Sequence, residues 1–124
     1  MLRGFSLLYL ILLTYALLSP DPLAWLRKKT FGPKRPLPPY LAWLMNDKFH
    51  HGAAYALMAI LARSALGWSS PLVFTACTFH GGAMEILQQF SPPRSMDLWD
   101  WLADMAGAVV GLLIYRFLPM RRLD

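Results

Sequence analysis

Four carboxylates, Glu85, Asp97, Asp100 and Asp104, fall within one otherwise apolar stretch between Met84 and Gly111. Asp97, Asp100, Asp104, Gly107 and Gly111 recur at spacings of three and four, so a helix carries them on one face. Upstream, Asp47, His51 and Tyr55 stand at i, i+4 and i+8 with Lys48 beside them, a second one-sided stripe. A third holds His80, Met84 and Gln88, with Glu85 one position round and the Gly81-Gly82 pair allowing close helix approach. Arg94 lies in the short turn between Glu85 and Asp97. Residues of these types suit two kinds of chemistry. Glu85, Asp100 and Asp104 could act as general base or as cation ligands, while Arg94 and Lys48 grip a phosphate or carboxylate. Asp47, His51, Tyr55 and Gln88 would complete a substrate-binding surface.

Each element also has a plainer reading. Asp97 and Asp100 suit the N-terminus of a helix, where a cap and negative charge are favourable. Asp104 lies two turns further in, beyond capping range, so it needs a bundle partner or a function. Glu85 near a helix C-terminus sits in an unfavourable dipole field and calls for a partner such as Arg94 or Lys48. Anions outnumber fixed cations in this set. Protonated carboxylates, charged histidines or a bound cation would each restore balance, and hard oxygen ligands would favour magnesium or calcium.

The elements that position these residues follow from composition. The 124 residues make room for a single domain, 1–124, and 56% hydrophobic against 15% charged residues is too apolar for an ordinary soluble one. The net charge is +5 and the pI about 9.7. Because the basic residues flank apolar runs, they suggest membrane lipid headgroups and not nucleic acid. The single cysteine, Cys77, falls in an apolar run, which excludes a disulfide framework and suggests buried filler.

Four helical spans are expected, at about 2–19, 49–68, 71–90 and 98–118, forming an all-α integral membrane bundle. The first has a signal peptide as its rival reading, although no small-x-small cleavage site precedes Pro20. Residues 20–46 form a proline-rich loop in which LAWL and YLAWLM beside basic residues suit chain lying in the headgroup layer. Asn46 or Asp47 would cap the second span and Gly67 would end it. Its interior Arg63 is close enough to the helix end to extend its guanidinium to the interface. Gly107 and Gly111 form a packing surface on the fourth span.

Short loops make the last three spans antiparallel neighbours. The start of the second, the end of the third and the start of the fourth therefore share one side of the membrane. Asp104 lies roughly 10 Å along its helix from Asp97, so the cluster occupies one leaflet, as a pocket open to one side. A lone charge at the bilayer centre costs about 2.5 to 3.5 kcal/mol, so such residues need a reason to be there. The positive-inside count is nearly even. Arg3, Arg63, Arg116, Arg121 and Arg122 stand on one side, against Arg27, Lys28, Lys29, Lys34, Arg35, Lys48 and Arg94 on the other.

At these residues the chain resembles the VanZ-like family of small bacterial membrane proteins. The resemblance lies in Asp47-Lys48 with His51 and Tyr55, Glu85-x-x-Gln88, Arg94, Asp100, and Asp104-x-x-Gly107-x-x-x-Gly111. Family members often carry asparagine where this chain has Asp104. The family is named for a protein associated with low-level resistance to the glycopeptide teicoplanin, which implies a multi-pass protein of the cell membrane working at the cell envelope. Two readings follow. In one, the pocket handles an anionic envelope component or an antibiotic's lipid-proximal target. In the other, the polar network is a structural strut in a non-catalytic subunit that contacts an envelope enzyme.

Overall fold

The computed structural model describes residues 1–18, 39–40, 46–92 and 95–119, and in them the chain is all-α. Four helices follow in order: α1 (Leu2–Leu18), α2 (Asp47–Leu66), α3 (Ser70–Gln88) and α4 (Leu98–Phe117). Pro39 and Tyr40 form part of a short 3-10 turn, while the rest of the proline-rich connection and Arg94 lie outside the described residues.

Local chemistry sets the helix ends. Of the two capping candidates for α2, Asn46 takes the role, its side chain accepting the Lys48 N–H at 2.9 Å. Gly67 ends α2 in the left-handed conformation, at φ 66°. Pro71 stands in the first turn of α3, where its missing N–H removes no helical bond. Asp97 caps α4 by accepting the Trp99 N–H at 2.8 Å. Leu118, preceding Pro119, turns extended at φ −76°, ψ 134° and stops the helix.

The closest pair is α2 with α4, and small residues make the approach possible. A Cβ on Gly107 would overlap the Gly52 carbonyl oxygen, and one on Gly111 would overlap that of Ala56. Glycines four apart on α4 thus dock on backbone four apart on α2. The buried apolar core runs through Leu13, Leu17, Tyr55, Ala59, Val73, Cys77, Met84 and Ala108.

By length and composition, α4 is the helix among the described residues that can cross a membrane, with a mean hydropathy of 1.4. The apolar α1 is shorter, at 17 residues. α2 and α3 are long, but Asp47, Lys48, His50, His51 and Arg63 dilute the first and His80, Glu85 and Gln88 the second. The residues that make the interior polar thus lower the hydropathy of the helices that carry them.

Arg63 uses its guanidinium within the bundle. Its Nη1 donates to the Trp68 carbonyl just past the end of α2, and its Cζ sits 5.0 Å over the Tyr115 ring. An open groove of about 710 Å³ beside it is lined by Phe74, Leu112, Tyr115 and Arg116. This is the opposite end of the bundle from the acidic cluster.

Candidate functional site

The N-terminal turns of α2 and α4 and the last turns of α3 meet at one end of the bundle, and the acidic residues meet there. At the centre is His51, 2% exposed, whose Nδ1 lies 2.8 Å from Asp104 Oδ1. An ionised carboxylate only accepts, so with Asp104 ionised Nδ1 carries the hydrogen and donates it. That leaves Nε2 facing Asp100 Oδ2 at 3.9 Å and Asp47 Oδ2 at 4.0 Å. Asp104 is fully buried, two turns into α4. Gly81 of α3 makes room for it, since a Cβ there would lie 2.7 Å from Asp104 Oδ2.

Toward solvent, Lys48 bridges two carboxylates, with its Nζ 3.0 Å from Asp97 Oδ2 and 3.0 Å from Asp100 Oδ1. Asp97 is half-exposed, and the Lys48 ammonium together with the Trp99 N–H holds its carboxyl below the usual carboxylate range. Asp100 is buried with its carboxylate shared between Lys48 and the His51 side.

Glu85, 3% exposed, takes a partner that charge pattern does not reveal: its Oε2 accepts the backbone N–H of Asp97 at 2.8 Å. The contact ties the end of α3 to the start of α4. Its other oxygen, Oε1, is buried with no hydrogen-bond partner among the described residues, and so is Asp104 Oδ2. An unsatisfied buried polar atom costs about 1–3 kcal/mol, and more when charged, so two in one place mark the spot where the bundle is least compensated.

The remaining predicted residues are distributed as follows. Asp47 is an exposed neighbour of His51. Gln88 is buried and donates through Nε2 to the Leu17 carbonyl at 2.8 Å, binding α3 to α1. Tyr55, also fully buried, lies one turn deeper than His51, and its hydroxyl meets His80 Nδ1 at 2.8 Å. Gly107 and Gly111 lie in the α2–α4 contact described above. Arg94 falls outside the described residues.

The reading of sequence missed a second polar chain, which begins on α1. Thr14 Oγ1 donates to the Leu10 carbonyl at 2.8 Å and lies 3.0 Å from His80 Nε2. With the hydroxyl hydrogen committed to Leu10, Nε2–H must donate to Thr14, which leaves Nδ1 to accept from Tyr55. The polarity is consistent from Tyr55 to Leu10, and every member is satisfied. The signal lay in Thr14 and Tyr9, hydroxyl residues inside the first apolar run; Tyr9 likewise donates to the Ala54 carbonyl at 2.7 Å.

Fold and site together define a small all-α bundle, with a carboxylate–imidazole cluster at one end where three helices meet. The VanZ/LLP1 family model matches residues 5–119, and the chain belongs to that family. No curated protein and no solved structure matches it.

Proposed function

We propose that this VanZ-like chain is a multi-pass membrane protein whose four helices all span the bilayer, and whose cluster opens onto the headgroup layer to act on an anionic component of the cell envelope. One observation carries the reading: the bundle buries a cluster of charged and polar side chains while large apolar side chains cover its outside. His51, Glu85, Gln88, Asp100 and Asp104 are all at most 5% exposed, whereas Phe5, Ile11, Phe79, Ile86, Leu113 and Phe117 are each more than half exposed. A water-facing surface of that kind would be a continuous apolar patch, while against lipid it is the expected exterior.

Within this reading Lys48, at the exposed edge, and Arg94, which falls between Glu85 and Asp97 in sequence, hold the phosphate or carboxylate of the envelope component. His51, held by Asp104 through Nδ1, offers Nε2 as a base for a proton on water or on a substrate hydroxyl. Asp100 and Glu85 flank it and stabilise the imidazolium that forms. Asp47 receives the proton at the mouth.

Alanine at Lys48, Arg94, Asp100 and Asp104, with insertion and abundance measured, tests the site through teicoplanin susceptibility of a host expressing the chain. Loss of protection at normal abundance is expected; full retention in all four overturns the assignment. Four spans put both termini on one side, so N- and C-terminal reporter fusions that read opposite sides would overturn the topology. The same fusions decide which side the pocket faces.

A structural strut is the second reading, favoured by the double engagement of Lys48 with Asp97 and Asp100. Exchanging the charges of Lys48 and Asp100 separates the two. Recovery of both abundance and phenotype in the exchanged pair makes the contact a strut, whereas recovery of abundance alone leaves the functional site.

A further inference from the structure

We propose that His51, Glu85 and Asp104 form a binding site for one divalent cation of the manganese or zinc class, at the floor of the cluster; this rests on reading that cluster as the functional site. The three residues come from three helices, α2, α3 and α4, and offer one imidazole nitrogen and two carboxylate oxygens within 4.8 Å of one another. Three ligands about 2.1 Å from a common ion stand roughly 3 to 4 Å apart, so a contraction of up to about an ångström closes the site.

The unpartnered atoms give the spacing its meaning. Glu85 Oε2 is occupied by the Asp97 N–H and Asp104 Oδ1 by His51, yet Glu85 Oε1 and Asp104 Oδ2 are buried without a partner among the described residues. All three side chains are at least nine-tenths buried, at 2%, 3% and 0% exposure. Gly81, with no side chain, lets Asp104 Oδ2 pack close against α3. Two carboxylates, a neutral imidazole and a doubly charged ion sum to zero, the state a low-dielectric interior tolerates best.

His51 also lies between Asp47 and Asp100, a second set of possible ligands. That set is the poorer one, because the Lys48 ammonium is already 3.0 Å from Asp100 and repels a cation there. Its use is as support. Ligation through Nδ1 exchanges the hydrogen bond to Asp104 for the ion and turns Nε2–H toward Asp100 and Asp47, so that carboxylates stand behind the ligating histidine and Nε2 is a free base only in the ion-free state. An imidazole among the ligands shifts preference from the magnesium and calcium that oxygen alone would favour to manganese or zinc.

The test titrates Mn2+ into the chelator-stripped full chain in detergent micelles, following free Mn2+ by electron paramagnetic resonance. One saturable Mn2+ per chain is expected, displaced by Zn2+ and not by equal Mg2+. Glu85→Gln and Asp104→Asn each weaken it at least about tenfold, whereas Asp47→Asn, which removes an exposed and screened charge, weakens it less than about threefold. Spin-echo modulation from one imidazole nitrogen at the bound Mn2+ checks the wild-type chain without relying on any variant. Absence of saturable binding, absence of that nitrogen, or binding lost in Asp47→Asn but kept in Glu85→Gln overturns the proposal. If Mn2+ fails to bind while the alanine variants lose the phenotype, the cation site falls and the proposed function stands. If Mn2+ binds while those variants keep the phenotype, the reverse holds.

Discussion

His51 and Asp104, 53 positions apart in the chain, meet through Nδ1 and Oδ1 at 2.8 Å, with neither side chain more than 2% exposed. The contact ties α2 to α4 and fixes which imidazole nitrogen faces the mouth of the cluster. Asp104→Asn keeps an oxygen to accept the Nδ1 hydrogen and removes the charge. Asp104→Ala leaves that hydrogen buried without an acceptor, a loss of about 1–3 kcal/mol. We therefore expect the alanine variant to melt well below the asparagine variant, with protection lost in both. Thermal unfolding in micelles checks the first outcome and teicoplanin susceptibility the second; equal melting of the two variants would contradict the pairing.

Glycine substitutions along the α2–α4 contact should divide sharply by what each new methyl meets. At Gly107 and Gly111 it overlaps the Gly52 and Ala56 carbonyl oxygens, and backbone cannot give way without parting the helices. Gly107→Ala and Gly111→Ala are expected to destabilise by about 1–3 kcal/mol each, the range for overpacking. Gly52→Ala meets only the Ala103 carbonyl at 3.6 Å and should be tolerated. Gly81→Ala, on α3, meets the Asp104 carboxylate oxygen at 2.7 Å and the Trp101 ring at 3.3 Å, so it should displace that carboxylate and disturb the cluster. Melting temperatures of the four variants, beside their susceptibility phenotype, check this ordering.

What the sequence makes legible here is periodicity and connectivity. The stripes Asp47/His51 and Asp100/Asp104, joined by short loops, bring the acids to one end of the bundle, and helix ends follow from Asn46, Gly67, Asp97 and Pro119. The partners are less legible, because so many are backbone atoms. Glu85 takes the Asp97 N–H, Gln88 the Leu17 carbonyl, Ser91 the Leu18 carbonyl, and no pattern of residue types marks those atoms. Depth decides the rest. Tyr55 shares a helix face with His51, but one turn further in it meets His80 and not the acids. The expectation of four spans rests on apolar content that α2 and α3 give up to the polar residues of the interior, so length and composition single out α4.

The chain from Tyr55 through His80 to Thr14 should behave as a unit. Thr14→Val is nearly isosteric and strips His80 Nε2–H of its acceptor, while Tyr55→Phe strips Nδ1 of its donor. Each should lower stability by about 1–3 kcal/mol. Because both act on one imidazole, the double variant should lose less than the sum. Strict additivity in a double-mutant cycle of thermal or denaturant unfolding would show that the two hydrogen bonds do not share His80.

Asp97 offers a pH test in which cap and ion pair can be separated. Asp97→Asn retains a good N-cap for α4 but loses the ion pair with Lys48. Since the folded carboxyl is held below its ordinary value of 3.8, chiefly by Lys48, its contribution is fully present above about pH 4 and is lost as pH falls through the depressed value. The wild-type chain should therefore melt above Asp97→Asn by a margin that is constant from pH 7 to pH 5 and shrinks below about pH 4. At 37% exposure for Asp97 and 47% for Lys48 the pair is also screened, so raising salt from 0.05 to about 1 M should narrow the margin at pH 7. A margin that grows on acidification would mean the folded chain raises this carboxyl instead, and would remove the ion pair as its cause.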